Sequence, residues 1–168
     1  MATTQQLLSA DEQIRASVAA LGAAISAVPE YTPPALARAV VVEQNLYRQI
    51  ESEFSLLTST QAGSRMGSRS RTPRNLASSA RNSGRVIGIQ RGQATYFPGF
   101  QFDAQGQPLL VISQLRRLGI ESGWSETGIV HWLMSPTTQL DGQRPVDLLT
   151  SAPEEVLVAA RATWQVQW

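Results

Sequence analysis

The 168-residue sequence contains no cysteine, no lysine and a single histidine. The absence of cysteine excludes disulfides, thiol catalysis and thiolate metal sites, and with one histidine we expect no zinc site. The longest apolar runs, such as residues 109–112, are far shorter than a membrane span. Residues 1–9 have no basic residue and no long apolar stretch, so we expect no secretion signal, no membrane segment and a cytoplasmic protein.

Charge is distributed unevenly along the chain. Residues 1–53 carry three arginines and six acidic residues, and residues 103–168 carry four arginines and seven acidic residues. Between them, residues 54–102 carry seven arginines and no acidic residue. Arginines near phosphates release condensed counterions, and a guanidinium can bond bidentately to phosphate or guanine. The basic middle third therefore indicates DNA or another polyanion as its ligand.

Two amphipathic helices are predicted in residues 1–54. The first begins with a capping box at Ser9 and Glu12, and the second begins at Thr32 with Pro33 in its first turn. We interpret this segment as an N-terminal helical extension. Its first helix either packs on its own domain or forms the interface of a homodimer.

Cap and turn residues predict a helix-turn-helix within residues 55–103. Thr58 is expected to cap a short helix, Gly67 to make the turn, and Thr72 with Pro73 to begin a second helix. The second helix has a small apolar face opposite a polar one. The candidate DNA-binding residues of this region are Arg65, Arg69, Arg71, Arg74, Asn75, Ser78, Arg81, Arg85 and Arg91.

A β-hairpin wing is predicted directly after the second helix. Residues 86–89 and 94–97 are interpreted as strands around a turn at 90–93, and residues 103–108 as a surface turn. In such proteins the second helix enters the major groove, and a wing arginine such as Arg91 lies along the backbone or in the minor groove. The alternative is a solvated basic loop that contacts no polyanion.

The last third, residues 109–168, is predicted to form a small helical module. A leucine and isoleucine stripe indicates a first helix, residues 126–134 a second, and residues 145–149 one helical turn. Ser151 and Glu154 form a capping box for a final helix. The expected fold class is mainly α with a small β-hairpin wing, in which a winged helix-turn-helix precedes a small helical C-terminal module.

Signatures of catalysis are weak. His131 lies between Val130 and Trp132, where a histidine is more often packed or capping than a general base. The carboxylates are scattered, and neither a glycine-rich phosphate loop nor a Ser-His-Asp pattern is found in the sequence. We therefore expect no enzyme, no metal and no cofactor. A small enzyme would instead lose turnover when His131 is replaced.

Residues 131–149 read His-Trp-Leu-Met-Ser-Pro-Thr-Thr-Gln-Leu-Asp-Gly-Gln-Arg-Pro-Val-Asp-Leu-Leu. This segment resembles the hallmark of the Xre/MbcA/ParS toxin-binding domain, in which Trp-Leu and a proline-containing link precede Leu, Gly and Arg-Pro-x-Asp-Leu-Leu. The resemblance covers about residues 109–166. The matching residues are Trp132, Leu133, Pro136, Leu140, Gly142, Arg144, Pro145, Asp147, Leu148 and Leu149.

The resemblance implies an antitoxin-like transcriptional repressor. A DNA-binding segment would repress the protein's own operon, and the C-terminal module would bind a RES-type toxin that degrades NAD. Trp132, Arg144 and Asp147 would then be partner-binding residues, with Arg144 and Asp147 also able to pair within a short helix. The default role of the tryptophans Trp124, Trp132, Trp164 and Trp168 is the core, because tryptophan contributes a large apolar area. Trp164 and Trp168 are also partner-binding candidates, and Trp168 differs from the others because a residue at a chain end is usually exposed.

Two other functions fit the same sequence features. The first is a stand-alone winged-helix DNA-binding regulator without a toxin. The second is a protein-interaction module whose basic face meets an acidic protein, and which would bind duplex DNA weakly and without sequence preference. The leading hypothesis expects double-stranded DNA, a RES-type toxin and a second copy of the chain as partners.

Overall fold

The computed structural model describes residues 34–165, with side chains from residue 40 onward. The chain divides into the compact units Met1–Val40 and Val41–Trp168, and the packing described below belongs to the second. The helix predicted to begin at Ser9, the cap at Thr32 and the terminal Trp168 lie outside the described residues.

The described part of the chain is mainly helical with a small antiparallel sheet, which confirms the predicted fold class. The helices are α1 (Pro34–Phe54), α2 (Ser59–Arg65), α3 (Arg74–Asn82), α4 (Leu110–Glu121), α5 (Glu126–Met134) and α6 (Pro153–Trp164). The strands are β1 (Leu56–Thr58), β2 (Ile89–Arg91) and β3 (Ala94–Pro98), and single 3-10 turns lie at Gly99–Gln101, Thr138–Leu140 and Pro145–Leu148. Within residues 34–165, none of the helices combines the length and apolar character that crossing a membrane requires.

Strand β1 was not predicted from the sequence. Ser55, with φ of 68°, ends α1 and turns the chain into this three-residue strand. It pairs with β3, where Leu57 lies opposite Phe97, so that β3 is the central strand of the order β1-β3-β2. Thr58 is both the last residue of β1 and the N-cap of α2, and only the second role was recognised from the sequence.

The helix-turn-helix is formed by α2 and α3, as predicted, but the predicted cap at Thr72 is wrong, because Pro73 is the N-cap of α3 and no side chain caps the helix. Thr58 caps α2 in a capping box with Gln61, whose side-chain oxygen accepts the Thr58 N–H at 2.8 Å. Gly67, with φ of 84°, makes the turn. At Gly63 the two helices approach so closely that an added Cβ would lie 1.9 Å from the Pro73 carbonyl oxygen. Glycine is therefore required for this packing.

The wing is present, but its first strand begins later than predicted. Residues 86–89 were expected to form the strand, whereas β2 starts at Ile89 and pairs with β3 across a two-residue turn. The reason is the fully buried Gln101 side chain, whose Oε1 accepts the Ile87 N–H at 2.7 Å and whose Nε2 donates to the Ile87 carbonyl at 3.0 Å. An amide side chain thus replaces the strand ladder at Ile87.

Two hydrophobic clusters support the fold. The smaller cluster lies beneath the helix-turn-helix and consists of Ala62, Met66, Ala77, Ala80, Val86, Phe97 and Phe102. The larger one joins Tyr47 and Ile50 of α1, Ile87 and Ile89 at the base of the wing, and the C-terminal helices. The larger cluster therefore continues across the surface turn at 103–108, where the two predicted modules meet.

The C-terminal module follows most of its predicted outline. Helix α5 has the predicted bounds, and the predicted helical turn at 145–149 is the 3-10 turn Pro145–Leu148. The predicted capping box at Ser151 and Glu154 is wrong, because Ala152 is the N-cap of α6 and no side chain caps the helix. Pro153 begins α6 instead, and it has no N–H that would need a cap.

Candidate nucleic-acid interface

Helix α3 separates its residues into a buried and an exposed face. Ala77 and Ala80 are fully buried against α2, and their small side chains permit close approach of the two helices. Arg74, Asn75 and Ser78 are exposed on the opposite face. The predicted DNA-reading face of the second helix is thus the solvent-facing one.

Side-chain hydrogen bonds order the loop that leads into α3. The Ser70 hydroxyl accepts the Thr72 N–H at 3.1 Å, and Asn75 Nδ2 donates to Thr72 Oγ1 at 3.1 Å. Arg69 and Arg71 are exposed on either side of Ser70. The loop therefore presents two arginines next to the first turn of α3, where Arg74 follows.

Six of the seven predicted arginines are exposed and form no ion pair within residues 34–165. We call this set the basic surface: Arg65, Arg69, Arg71, Arg74, Arg85 and Arg91. Arg65 instead lies over the Phe102 ring, with its guanidinium carbon 5.7 Å from the ring centroid. Such guanidinium groups retain bonding capacity for an external anion.

The seventh, Arg81, is held by an acidic residue of the C-terminal module. Its Nε and Nη2 donate to one oxygen of Glu126 at 2.9 and 2.7 Å, and Arg116 Nε donates to the other oxygen at 2.5 Å. The Glu126 side chain is only 11% exposed. The structure therefore sets Arg81 apart from the basic surface, since its guanidinium connects α3 to α4 and α5 through a shared carboxylate.

The wing is fixed against α1 by Tyr47, a residue that sequence reasoning did not select. The Arg91 guanidinium carbon lies 5.5 Å from the centroid of the Tyr47 ring, a cation–π distance. The buried Tyr47 hydroxyl donates to the Glu43 carboxylate and lies 3.4 Å from the Gln90 carbonyl oxygen. Arg91 was predicted within the turn at residues 90–93, and the structure places it at the end of β2, directly before the two-residue turn.

This arrangement changes the acidity of the phenol. Burial raises the pKa of Tyr47 from 10.0 to about 12, with the Glu43 carboxylate adding to the rise and Arg91 opposing it. Because the folded pKa lies above the unfolded one, the neutral phenol stabilises the fold fully below pH 10, and this contribution is lost as the pH rises through about 12. Urea unfolding at a series of alkaline pH values should show this loss, and Tyr47→Phe should remove it. Parallel losses in both proteins would contradict the assignment.

Two polar residues of the family-like motif form an ion pair, as the sequence suggested. Arg144 donates to both carboxylate oxygens of Asp147 at 2.8 Å, and its Nη1 lies 2.9 Å from Glu53 of α1. Hydrogen bonds to Asp147 and to Glu53 raise the pKa of Arg144. The pKa of Glu53 is lowered, first by its hydrogen bond with Gln49 and second by its hydrogen bond with Arg144. The motif therefore ties its 3-10 turn to the end of α1.

Two of the three tryptophans predicted to bind a partner, Trp132 and Trp164, are part of the core. Trp132 and Trp164 are buried and pack with ring centroids 4.8 Å apart, and the partly buried Trp124 lies 5.3 Å from Trp164. Their side chains stabilise the C-terminal module and are not presented at its surface in this structure. Trp168 lies outside the described residues.

The candidate catalytic residue His131 is half-buried on α5, and its carbonyl oxygen accepts the Ser135 hydroxyl at 2.8 Å. Among the residues that the structure describes, no three side chains of histidine, cysteine, aspartate or glutamate are grouped as metal ligands would be. Among the described residues, the candidate functional side chains are therefore the exposed arginines of the basic surface.

Comparison with known proteins gives one structural likeness. No family model matches the chain, and no curated protein matches it. The NMR structure of Rv2175c is similar in fold, with a TM-score of 0.57 and 22% sequence identity, over 67% of this chain and 82% of that one. This likeness concerns the fold alone.

Proposed function

We propose that the protein is a DNA-binding, antitoxin-like transcriptional repressor. The winged helix-turn-helix would hold the operator through α3 and the wing, and the C-terminal module would bind a RES-type toxin. The observation that carries the DNA-binding part is the basic surface, in which six exposed arginines without ion-pair partners among the described residues share one helix-turn-helix and its wing.

The arrangement of the basic surface supports DNA over an acidic protein as the ligand. Arg69 and Arg71 precede α3, Arg74 opens it and Arg91 lies on the wing, so the cations follow the elements that contact a groove and its flanking phosphates. The exposed face of α3 also offers Asn75 and Ser78, whose side chains can hydrogen-bond to bases or phosphates.

The test is fluorescence anisotropy with a duplex from the gene's own upstream region and a scrambled duplex, over a series of salt concentrations. Replacing Arg74 with alanine is expected to weaken binding by about 1–3 kcal/mol and to reduce the salt slope by about one. Arg81→Ala is expected to reduce the salt slope less than Arg74→Ala does, because Arg81 is already engaged with Glu126.

Arg161→Ala is the matched control, since it removes the same charge from an exposed position on α6. Equal effects of Arg74→Ala and Arg161→Ala would mean that net charge, and not the basic surface, governs binding. Weak, equal binding to both duplexes would favour the interaction module with a basic face for an acidic protein.

The toxin-binding part is supported by the residue pattern of the motif from Trp132 to Leu149, and the Arg144–Asp147 pair and the buried Trp132 hold this motif in place within the chain. Co-expression with a RES-type toxin encoded beside the gene would yield a stable complex under this proposal. A repressor that binds its operator but co-purifies with no such toxin would be the stand-alone regulator.

A further inference from the structure

An open cleft lies between the end of α3 and the outer face of α4. It has a volume of about 740 Å³ and continues into a depression of about 210 Å³ that shares Leu110 and Ser113 with it. Residues 82–84 and Arg116 line the larger space, and a Cβ added at Gly84 would lie 3.1 Å from a guanidinium nitrogen of Arg116. We call the two connected spaces the α4 cleft.

The rim of the α4 cleft carries two exposed apolar side chains. Leu110 is 75% exposed and Ile120 is 49% exposed, and both line the cleft. Ten residues of α-helix separate them, which corresponds to about 15 Å along the axis. Two apolar anchors at this separation suit the apolar stripe of a helix of about three turns laid along the cleft.

The charged residues that line the α4 cleft are mainly positive. Arg85 lines the smaller space and Arg117 the larger one. Both are exposed and form no ion pair within the described residues, whereas Arg116 is engaged with Glu126. Glu121 is the one carboxylate among its lining residues. A complementary occupant therefore combines an apolar stripe with flanking acidic residues.

We propose that the α4 cleft is the docking site for an acidic amphipathic helix of a partner protein, an interaction surface that adjoins the proposed operator contact and shares Arg85 with it. DNA fits this cleft poorly, because Leu110 and Ile120 have no apolar complement on a phosphate backbone. A second copy of the chain also fits poorly, since a two-fold interface would place Arg117 and Arg85 against the same predominantly positive surface.

The probe is a synthetic peptide with leucines at helical spacing and glutamates beside them, titrated into the full chain and followed by NMR. A second peptide carries lysines in place of the glutamates. The acidic peptide is expected to shift the resonances of residues 82–84 and 110–121 and to bind at least about tenfold more tightly than the lysine peptide. Leu110→Ser combined with Ile120→Ser should weaken it at least about tenfold.

Val158→Ser is the matched control, because Val158 is 60% exposed on α6 and lies away from the cleft. Absence of cleft shifts with the acidic peptide, or equal binding of the two peptides, would overturn the proposal. So would a salt slope of duplex binding that falls with Arg117→Ala, which would assign the cleft to DNA, or a dimer lost in the double serine variant. Unchanged duplex binding by the double variant separates this result from the operator test.

Discussion

Replacement of Gly63 with alanine is expected to destabilise the protein by about 3 kcal/mol. The new Cβ would lie 1.9 Å from the Pro73 carbonyl oxygen, and that atom belongs to the backbone at the start of α3. No side-chain rotation relieves such a contact, so α2 and α3 must separate. Separation opens the small cluster that contains Ala62 and Ala77.

Urea unfolding measures this effect, and two neighbours serve as references. Ser64→Ala, at an exposed position of α2, should change the free energy of unfolding by less than about 0.5 kcal/mol. A Cβ added at Gly67 has no atom within 4 Å, but the alanine would have to adopt the positive φ of this position. Gly67→Ala should therefore lower the free energy of unfolding by about 1 kcal/mol. A Gly63→Ala protein as stable as Ser64→Ala would show that the helices do not approach as described.

Gln101→Leu is expected to destabilise the protein by roughly 3 kcal/mol although leucine is apolar and similar in size. The Gln101 amide is fully buried and bonds the Ile87 N–H, the Ile87 carbonyl and the Pro98 carbonyl. Leucine would leave these backbone groups without those partners in the interior. The base of the wing should therefore open first.

Hydrogen exchange and urea unfolding together test this expectation. The Ile87 amide should exchange faster in the variant relative to amides of α6, and the free energy of unfolding should fall. Gln105→Leu, on the exposed surface turn, is the control and should leave both unchanged. Slow exchange at Ile87 in the Gln101→Leu protein would refute the role assigned to the amide.

Features with local causes were predictable from the sequence. The bounds of α5, the Thr58 cap and the Gly67 turn follow from residues within a few positions of one another. The start of β2 was misplaced because its cause, Gln101, is fourteen residues beyond Ile87 and acts through tertiary hydrogen bonds. Strand β1 was missed for a related reason, since three residues become a strand only when β3 is beside them.

In the candidate interface, too, features with local causes were predictable from the sequence and features with tertiary causes were not. Composition alone identified the acid-free stretch, and the structure leaves six of its arginines exposed. It could not distinguish Arg81 from Arg74, because the distinction comes from Glu126, forty-five residues after Arg81. The burial of Trp132 and Trp164 confirms the default core role of tryptophan, whereas the motif suggested partner binding because a motif records residue identity and not which side chains face inward.

The larger hydrophobic cluster makes the wing and the C-terminal helices thermodynamically interdependent. Ile87 and Ile89 lie in the same cluster as Val156 and Trp164 of α6. The wing strand β2 contacts α5, which belongs to the same cluster, so local opening of the wing exposes apolar surface of α5, and loss of α5 loosens the wing. Any ligand that binds the folded unit at one end suppresses opening at the other, so the operator and the C-terminal partner that we propose would stabilise one common folded state even without contact between them.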